Sequence, residues 1–111
     1  MAKYEKTIVG QFEEVVKHLE NDISNSGVTM NIVDESNYTI GDTRIAVRVY
    51  DKYFMRNGNR ASLSLTVVGS NSNIFISAIG AGGGSGIFFN YSLGAESEMV
   101  EIVQKSIEQM E

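Results

Sequence analysis

The sequence contains no cysteine and no proline. Without cysteine there are no disulfides, no thiolate zinc sites and no cysteine nucleophile. Without proline, folding has no slow cis–trans step. His18 is the only histidine, so an ordinary zinc set is excluded as well. No apolar run approaches the ~20 residues of a membrane helix. The opening MAKYEKTIVG lacks the apolar stretch of a signal peptide. The expectation is a cytoplasmic protein without a membrane partner. Asn37-Tyr38-Thr39 and Asn90-Tyr91-Ser92 match the glycosylation pattern, and without a secretion signal both read as chance. Positive charge is also scarce. Nine Lys and Arg stand against fourteen Asp and Glu, a net charge of −5. Phosphate backbones demand a basic footprint, so no nucleic-acid partner is expected.

What remains is ordinary for a globular chain. Its 111 residues are 42% hydrophobic, enough for one domain with its own core. Charge is unevenly spread. From Thr43 to Ser92 there are five basic residues and one acidic, net +4, whereas the rest carries four basic and thirteen acidic, net −9. An acidic frame therefore encloses a basic middle.

Local patterns predict the elements. Lys3–Val9 reads as a short strand. Phe12, Val15, Val16, Leu19 and Ile23 fall on one helical face, placing a helix near residues 11–25. Gly10 is its expected N-cap, with Glu13 three residues on, and Gly27 its stop. Val28, Met30 and Ile32 alternate with polar residues, a half-buried strand. DESNYTIGD, Asp34–Asp42, reads as polar and turn-rich around an extended Tyr38-Thr39-Ile40. A long strand is expected over Arg44–Met55, with Ile45, Val47 and Val49 turned to the core and Arg44, Ala46, Arg48, Tyr50 and Lys52 turned away. The Asn-Gly pair in RNGNR marks a hairpin. Its partner strand, Ala61–Gly69, turns Leu63, Leu65 and Val67 inward and Ser62, Ser64 and Thr66 outward. Strands follow at Asn73–Ile79 and Ile87–Leu93. From Ala95 the period becomes helical, with Met99, Val100, Val103, Ile107 and Met110 on one face. The order β-α-β-β-β-β-(β)-α lacks the alternation of a parallel sheet. It predicts an α+β two-layer domain, with a curved antiparallel sheet of five to six strands and two helices on one face.

Three stretches, AVRVYDKYFMRNGNRASLSLTVVG, SAIGAGGGSGIFF and KYEKTIVGQFEEVV, together resemble a family of small bacterial proteins, common in Firmicutes, known only as a domain of unknown function. The resemblance spans nearly the whole chain and implies no activity. The strand and helix order is also similar to helix-grip and TATA-binding-protein-like arrangements. Such likeness of architecture does not carry function.

Two stretches invite a functional reading. Gly80–Gly86 has glycine at five of seven positions. It is not a dinucleotide fingerprint, because the third glycine of G-x-G-x-x-G falls on Ser85 or Ile87. It is not a P-loop, because it holds no lysine. A hairpin loop or a sheet bend accounts for it. Yet so many ordered glycines cost several times the ~0.5–1 kcal/mol of one. The backbone therefore either stays unordered or approaches something closely: a ligand, a second subunit or the protein's own helix. The second stretch is a basic column. Arg44, Arg48, Lys52 and Arg56 recur every fourth residue, on one strand face, with Tyr50 beside them and Arg60 beyond the turn. A solvated face explains it, and so would an anion site built on arginine forks.

Other clusters carry less. His18 lies off the apolar stripe and reads as a surface residue. Asp34-x-Ser36-x-Tyr38 fails as a calcium loop, since its sixth position is Thr39. The helix-start glutamates suit the dipole.

Three functions follow from these readings. The first is a non-enzymatic module for a small anionic or amphipathic ligand, held by Arg44, Arg48, Tyr50, Lys52, Arg60, Gly82, Gly83, Gly84 and Ser85. The second is an interaction or homo-oligomerisation domain, with a homodimer as one form, that pairs through a sheet face or edge. An enzyme ranks last, because no acid–base pair, metal set or nucleophile is assembled. No cofactor and no catalytic residue is expected.

Overall fold

A computed structural model describes residues 2–54, 58–82 and 93–111. The elements run β1 (Ala2–Val9), α1 (Phe12–Ser24), β2 (Met30–Ile40), β3 (Thr43–Phe54), β4 (Asn59–Ser70), β5 (Asn73–Gly82) and α2 (Leu93–Met110). The five strands form one antiparallel sheet in the order β1-β5-β4-β3-β2. Strands β2 to β5 are a meander, and β1 closes onto β5. The α+β fold, with both helices on one face, is the expected one. The expected strand at Ile87–Leu93 lies largely outside the described residues.

The core lies between that face and the helices. Val15, Val16, Leu19 and Ile23 of α1 and Met99, Val103 and Ile107 of α2 are buried. They meet Leu63, Leu65 and Val67 of β4 and Ile74, Ile76 and Ala78 of β5. Helix α2 packs on β5, β4 and β1, and α1 packs on α2 and reaches β4 and β2.

Four expectations change. The most consequential concerns β3. Its register sets Ala46 beside Val67, Arg48 beside Leu65 and Tyr50 beside Leu63, and directly opposed residues share a sheet face. Ala46, Arg48, Tyr50 and Phe54 are therefore buried under the helices, while Ile45, Val47 and Val49 lie on the outer face, half-buried. The expected facing is reversed. Both faces of β3 carry β-formers, so alternation alone does not say which is inside.

Second, Asp34–Ile40 is strand, paired with β3 from Glu35↔Arg48 to Ile40↔Thr43. Pairing overrides its polar composition. A bulge at Val33 interrupts the register. Third, the N-cap is Gln11, without a side-chain cap bond. Gly10 instead donates its N–H to the Ser72 carbonyl. Fourth, α2 begins at Leu93, before the periodic stretch.

Candidate functional site

The register of β3 carries the basic column to the helix side. Arg48 is 6% exposed. Its Nε donates to Glu20 Oε2 of α1 at 2.6 Å, and its Nη1 donates to the Ser36 and Val47 carbonyls at 3.2 and 3.0 Å. Arg44 reaches Glu13 Oε2 at 2.8 Å and stacks over the Phe12 ring at 4.7 Å. Lys52 Nζ lies 5.0 Å from the Phe54 ring centroid. Arg60 pairs with Asp51 at 2.6 Å and lies 5.7 Å from the Tyr53 ring. Each of these guanidinium groups thus has a carboxylate or carbonyl partner within its own chain. Arg44 and Arg48 fasten α1 to the sheet through paired, hydrogen-bonded charge, whereas Arg60, opposite Tyr53 on the other face of the sheet, joins β4 to β3. Arg56 lies outside the described residues.

Tyr50 is buried beside Arg48 on the same face of β3. Burial pushes its hydroxyl up to about 12, and the Glu20 carboxylate adds to the rise; Arg48 opposes it, and Glu35 adds again. The neutral phenol is the stable form there.

The glycine segment divides. Gly82 ends β5, and its N–H donates to Glu96 Oε2 at 3.1 Å. Glu96, at the start of α2, is 4% exposed. A Cβ on Gly80 would lie 2.6 Å from the Glu96 carbonyl oxygen. The close approach that the glycines implied is, at Gly80, the approach of the protein's own helix. Gly83, Gly84 and Ser85 lie outside the described residues.

His18 Nε2 is 3.1 Å from Asp22 Oδ2, and that carboxylate oxygen accepts from Ser106 Oγ at 2.5 Å. The serine thus donates to aspartate rather than to histidine, and the geometry is not that of a nucleophile and its base. A cleft of about 430 Å³ lies beside His18, Glu14, Gly10 and Glu111. Among the described residues no group of three His, Asp or Glu side chains is placed to hold a metal, and no helix is long and apolar enough to cross a membrane.

A surface that composition hides is clearer in the fold. The helices cover one face of the sheet, and among the described residues nothing covers the other. Across it, Tyr38, Ile45, Val68 and Phe75 stand side by side on β2, β3, β4 and β5. Tyr38 is 62% exposed and Phe75 37%. Val47 and Val49 extend the apolar surface along β3, above a polar stripe of Ser62, Ser64 and Thr66 on β4. The bare face runs out to β2, an edge strand exposed at every residue after Met30. The signal in the sequence was the alternating Ile45-Val47-Val49, which the reversed facing had assigned to the core.

In the comparisons with known proteins, one solved structure similar to this chain is the crystal structure of TTHA0849 from Thermus thermophilus. It is 10% identical, with 97% of this chain and 94% of that one covered and a TM-score of 0.35. No curated protein matches. The model of a family of unknown function, DUF6054, matches residues 1–111, and the chain belongs to that family.

Proposed function

We propose that this protein is a non-enzymatic interaction domain whose working surface is the bare side of its sheet together with the β2 edge. The observation that carries this reading is the apolar row Tyr38–Ile45–Val68–Phe75, left open opposite the helices. Contiguous apolar surface on a sheet face marks a docking site more often than scattered single residues do. The edge beside it offers unpaired main-chain groups, the other element of sheet-based recognition. The alternative of an anion-binding face loses its main support. Arg44, Arg48 and Arg60 are engaged by Glu13, Glu20 and Asp51.

Site-specific photo-crosslinking tests the reading. A benzophenone amino acid replaces Tyr38 or Phe75 in the full chain, and Lys17 on the exposed side of α1 serves as control. The expected result is an adduct of discrete mass from positions 38 and 75, absent at 17. No adduct, or equal adducts at all three positions, overturns the reading.

A further inference from the structure

Resting on the interaction reading, we propose that the partner at the β2 edge is a second copy of this chain. The two β2 strands pair antiparallel about a two-fold axis at Asn37, joining two five-stranded sheets into one.

The two edges of the sheet differ. On β1, Lys3 and Lys6 are exposed, a common means of keeping an edge from pairing. On β2, residues 30–40 include no Lys, Arg or Pro. Its one irregularity is the bulge at Val33, which leaves Asp34–Ile40 as an unbroken edge.

The turn fixes which main-chain groups are free. Ile40 and Thr43 pair directly around Gly41-Asp42, and Gly41 has φ +59°. A two-residue turn makes its flanking pair the hydrogen-bonded one. Hydrogen-bonded and non-bonded pairs then alternate along β2. Ile40, Tyr38 and Ser36 turn their N–H and C=O toward β3. Thr39, Asn37 and Glu35 turn theirs to the open edge. The Arg48 guanidinium contact with the Ser36 carbonyl agrees with that parity.

A two-fold through Asn37 uses all three open residues. Asn37 faces its own copy, and Glu35 faces Thr39 of the second copy. This gives about six new main-chain hydrogen bonds in the antiparallel pattern. The side chains fit as well. Thr39 stands beside Arg44 on β3. Glu35 therefore lies in one transverse row between its own Arg48 and, across Thr39, the Arg44 of the second copy. Asp34 faces Ile40, so no two carboxylates oppose each other, although both strands are acidic. On the bare face, Ser36 of one copy meets Tyr38 of the other. The apolar row Phe75–Val68–Ile45–Tyr38 then continues onto Val47 of the second copy. Arg44 and Arg48 already hold Glu13 and Glu20, so Glu35 joins an arginine row rather than facing a like charge, and on the outer face Ser36 alone separates Tyr38 from Val47 of the second copy.

The absence of cysteine gives a direct test. Asn37→Cys introduces a sole thiol, and paired Cα atoms in a hydrogen-bonded antiparallel pair lie about 5.5 Å apart, within disulfide reach. The full chain is oxidised with a mild oxidant and run on a non-reducing gel, with Val9→Cys as the control. Sedimentation is measured from low micromolar to several hundred micromolar for the wild type, Asn37→Pro and Glu35→Arg. Proline at an open-edge position removes no bond within the chain, and circular dichroism checks that each variant is folded. The expected results are a wild-type dimer and a disulfide dimer from position 37 but not from 9. Both other variants should raise the dimer dissociation constant about tenfold or more. A dimer that persists in Asn37→Pro without disulfide at 37 overturns the edge pairing and leaves the interaction reading standing. A strict monomer, or photo-adducts from Tyr38 of a mass other than twice the chain, overturns the second copy as partner.

Discussion

Arg48 Nε lies 2.6 Å from Glu20 Oε2, across 28 positions of sequence, and this pair joins the centre of β3 to the middle of α1. The arginine is buried, and the glutamate side chain is one-third exposed. Removing one partner of such a pair leaves a charge without compensation. Arg48→Ala should therefore lower the unfolding free energy by about 2 kcal/mol, less than for a fully buried pair, since water reaches Glu20. Arg48→Met, which keeps the packing of the stem, should lose less than Arg48→Ala. Urea denaturation at neutral pH measures both. An unchanged midpoint for Arg48→Ala would mean that the pair contributes nothing.

That pair also shows where reading the sequence stops. Helix α1 was legible because Phe12, Val15, Val16, Leu19 and Ile23 repeat at helical spacing within one local stretch. The facing of β4 was legible because Leu63, Leu65 and Val67 alternate with Ser62, Ser64 and Thr66, and only one face can be apolar. Strand β3 offers Ile45, Val47 and Val49 on one side and Ala46, Tyr50 and Phe54 on the other. Its facing is decided by the partner strand and by a carboxylate supplied from α1. Neither is a local property of β3. The same holds for β2, whose polar residues become strand through pairing with β3. The basic column was visible as a period of four. That Glu13 and Glu20 would meet it required the sheet order.

At the glycine segment the sequence posed a question with three answers, and packing chose one for Gly80. Its missing Cβ leaves room for the Glu96 carbonyl oxygen, which a methyl group would meet at 2.6 Å, with the Val100 side chain at 3.1 Å. Main chain of α2 cannot move aside as a side chain can. Gly80→Ala should cost about 2–3 kcal/mol, in the range of overpacked cores. Gly41→Ala is the comparison. Nothing lies within 4 Å of its Cβ position, but φ is +59°, so the cost is conformational and about 1 kcal/mol. Thermal unfolding of both variants orders them. Equal losses would show that α2 shifts freely.

Ser106 and Asp22 link α2 to α1. The Ser106 hydroxyl donates to Asp22 Oδ2 at 2.5 Å, and Ser106 is buried. A hydrogen bond to an ionised carboxylate contributes about 1.5–3 kcal/mol. Ser106→Ala should fall near the lower end, because Asp22 keeps the nearby His18 and partial access to water. Asp22→Asn retains an acceptor for the hydroxyl and should cost less than Asp22→Ala. Urea titration of the three variants tests this order. If Asp22→Asn were as damaging as Asp22→Ala, the carboxylate charge rather than the hydrogen bond would be the stabilising feature.

Tyr50 sets an alkaline limit. Its hydroxyl is raised to about 12 in the folded chain, against about 10 for an exposed tyrosine. Below pH 10 both states hold the proton and the group adds no pH dependence. Between about pH 10 and 12 the unfolded chain releases the proton while the folded chain keeps it. The unfolded state then binds fewer protons, so stability falls as pH rises. The full shift corresponds to a loss on the order of 2 kcal/mol across that window. Tyr50→Phe removes the ionisable group and should flatten this part of the profile. The measurement is urea unfolding at about pH 9, 10.5 and 11.5 for both chains, one value below the window and two within it. It is paired with ultraviolet absorbance of the phenolate, where one phenol in the folded wild type should ionise last. Parallel profiles for the two chains would show that Tyr50 titrates like an exposed tyrosine and that its burial does not hold the proton.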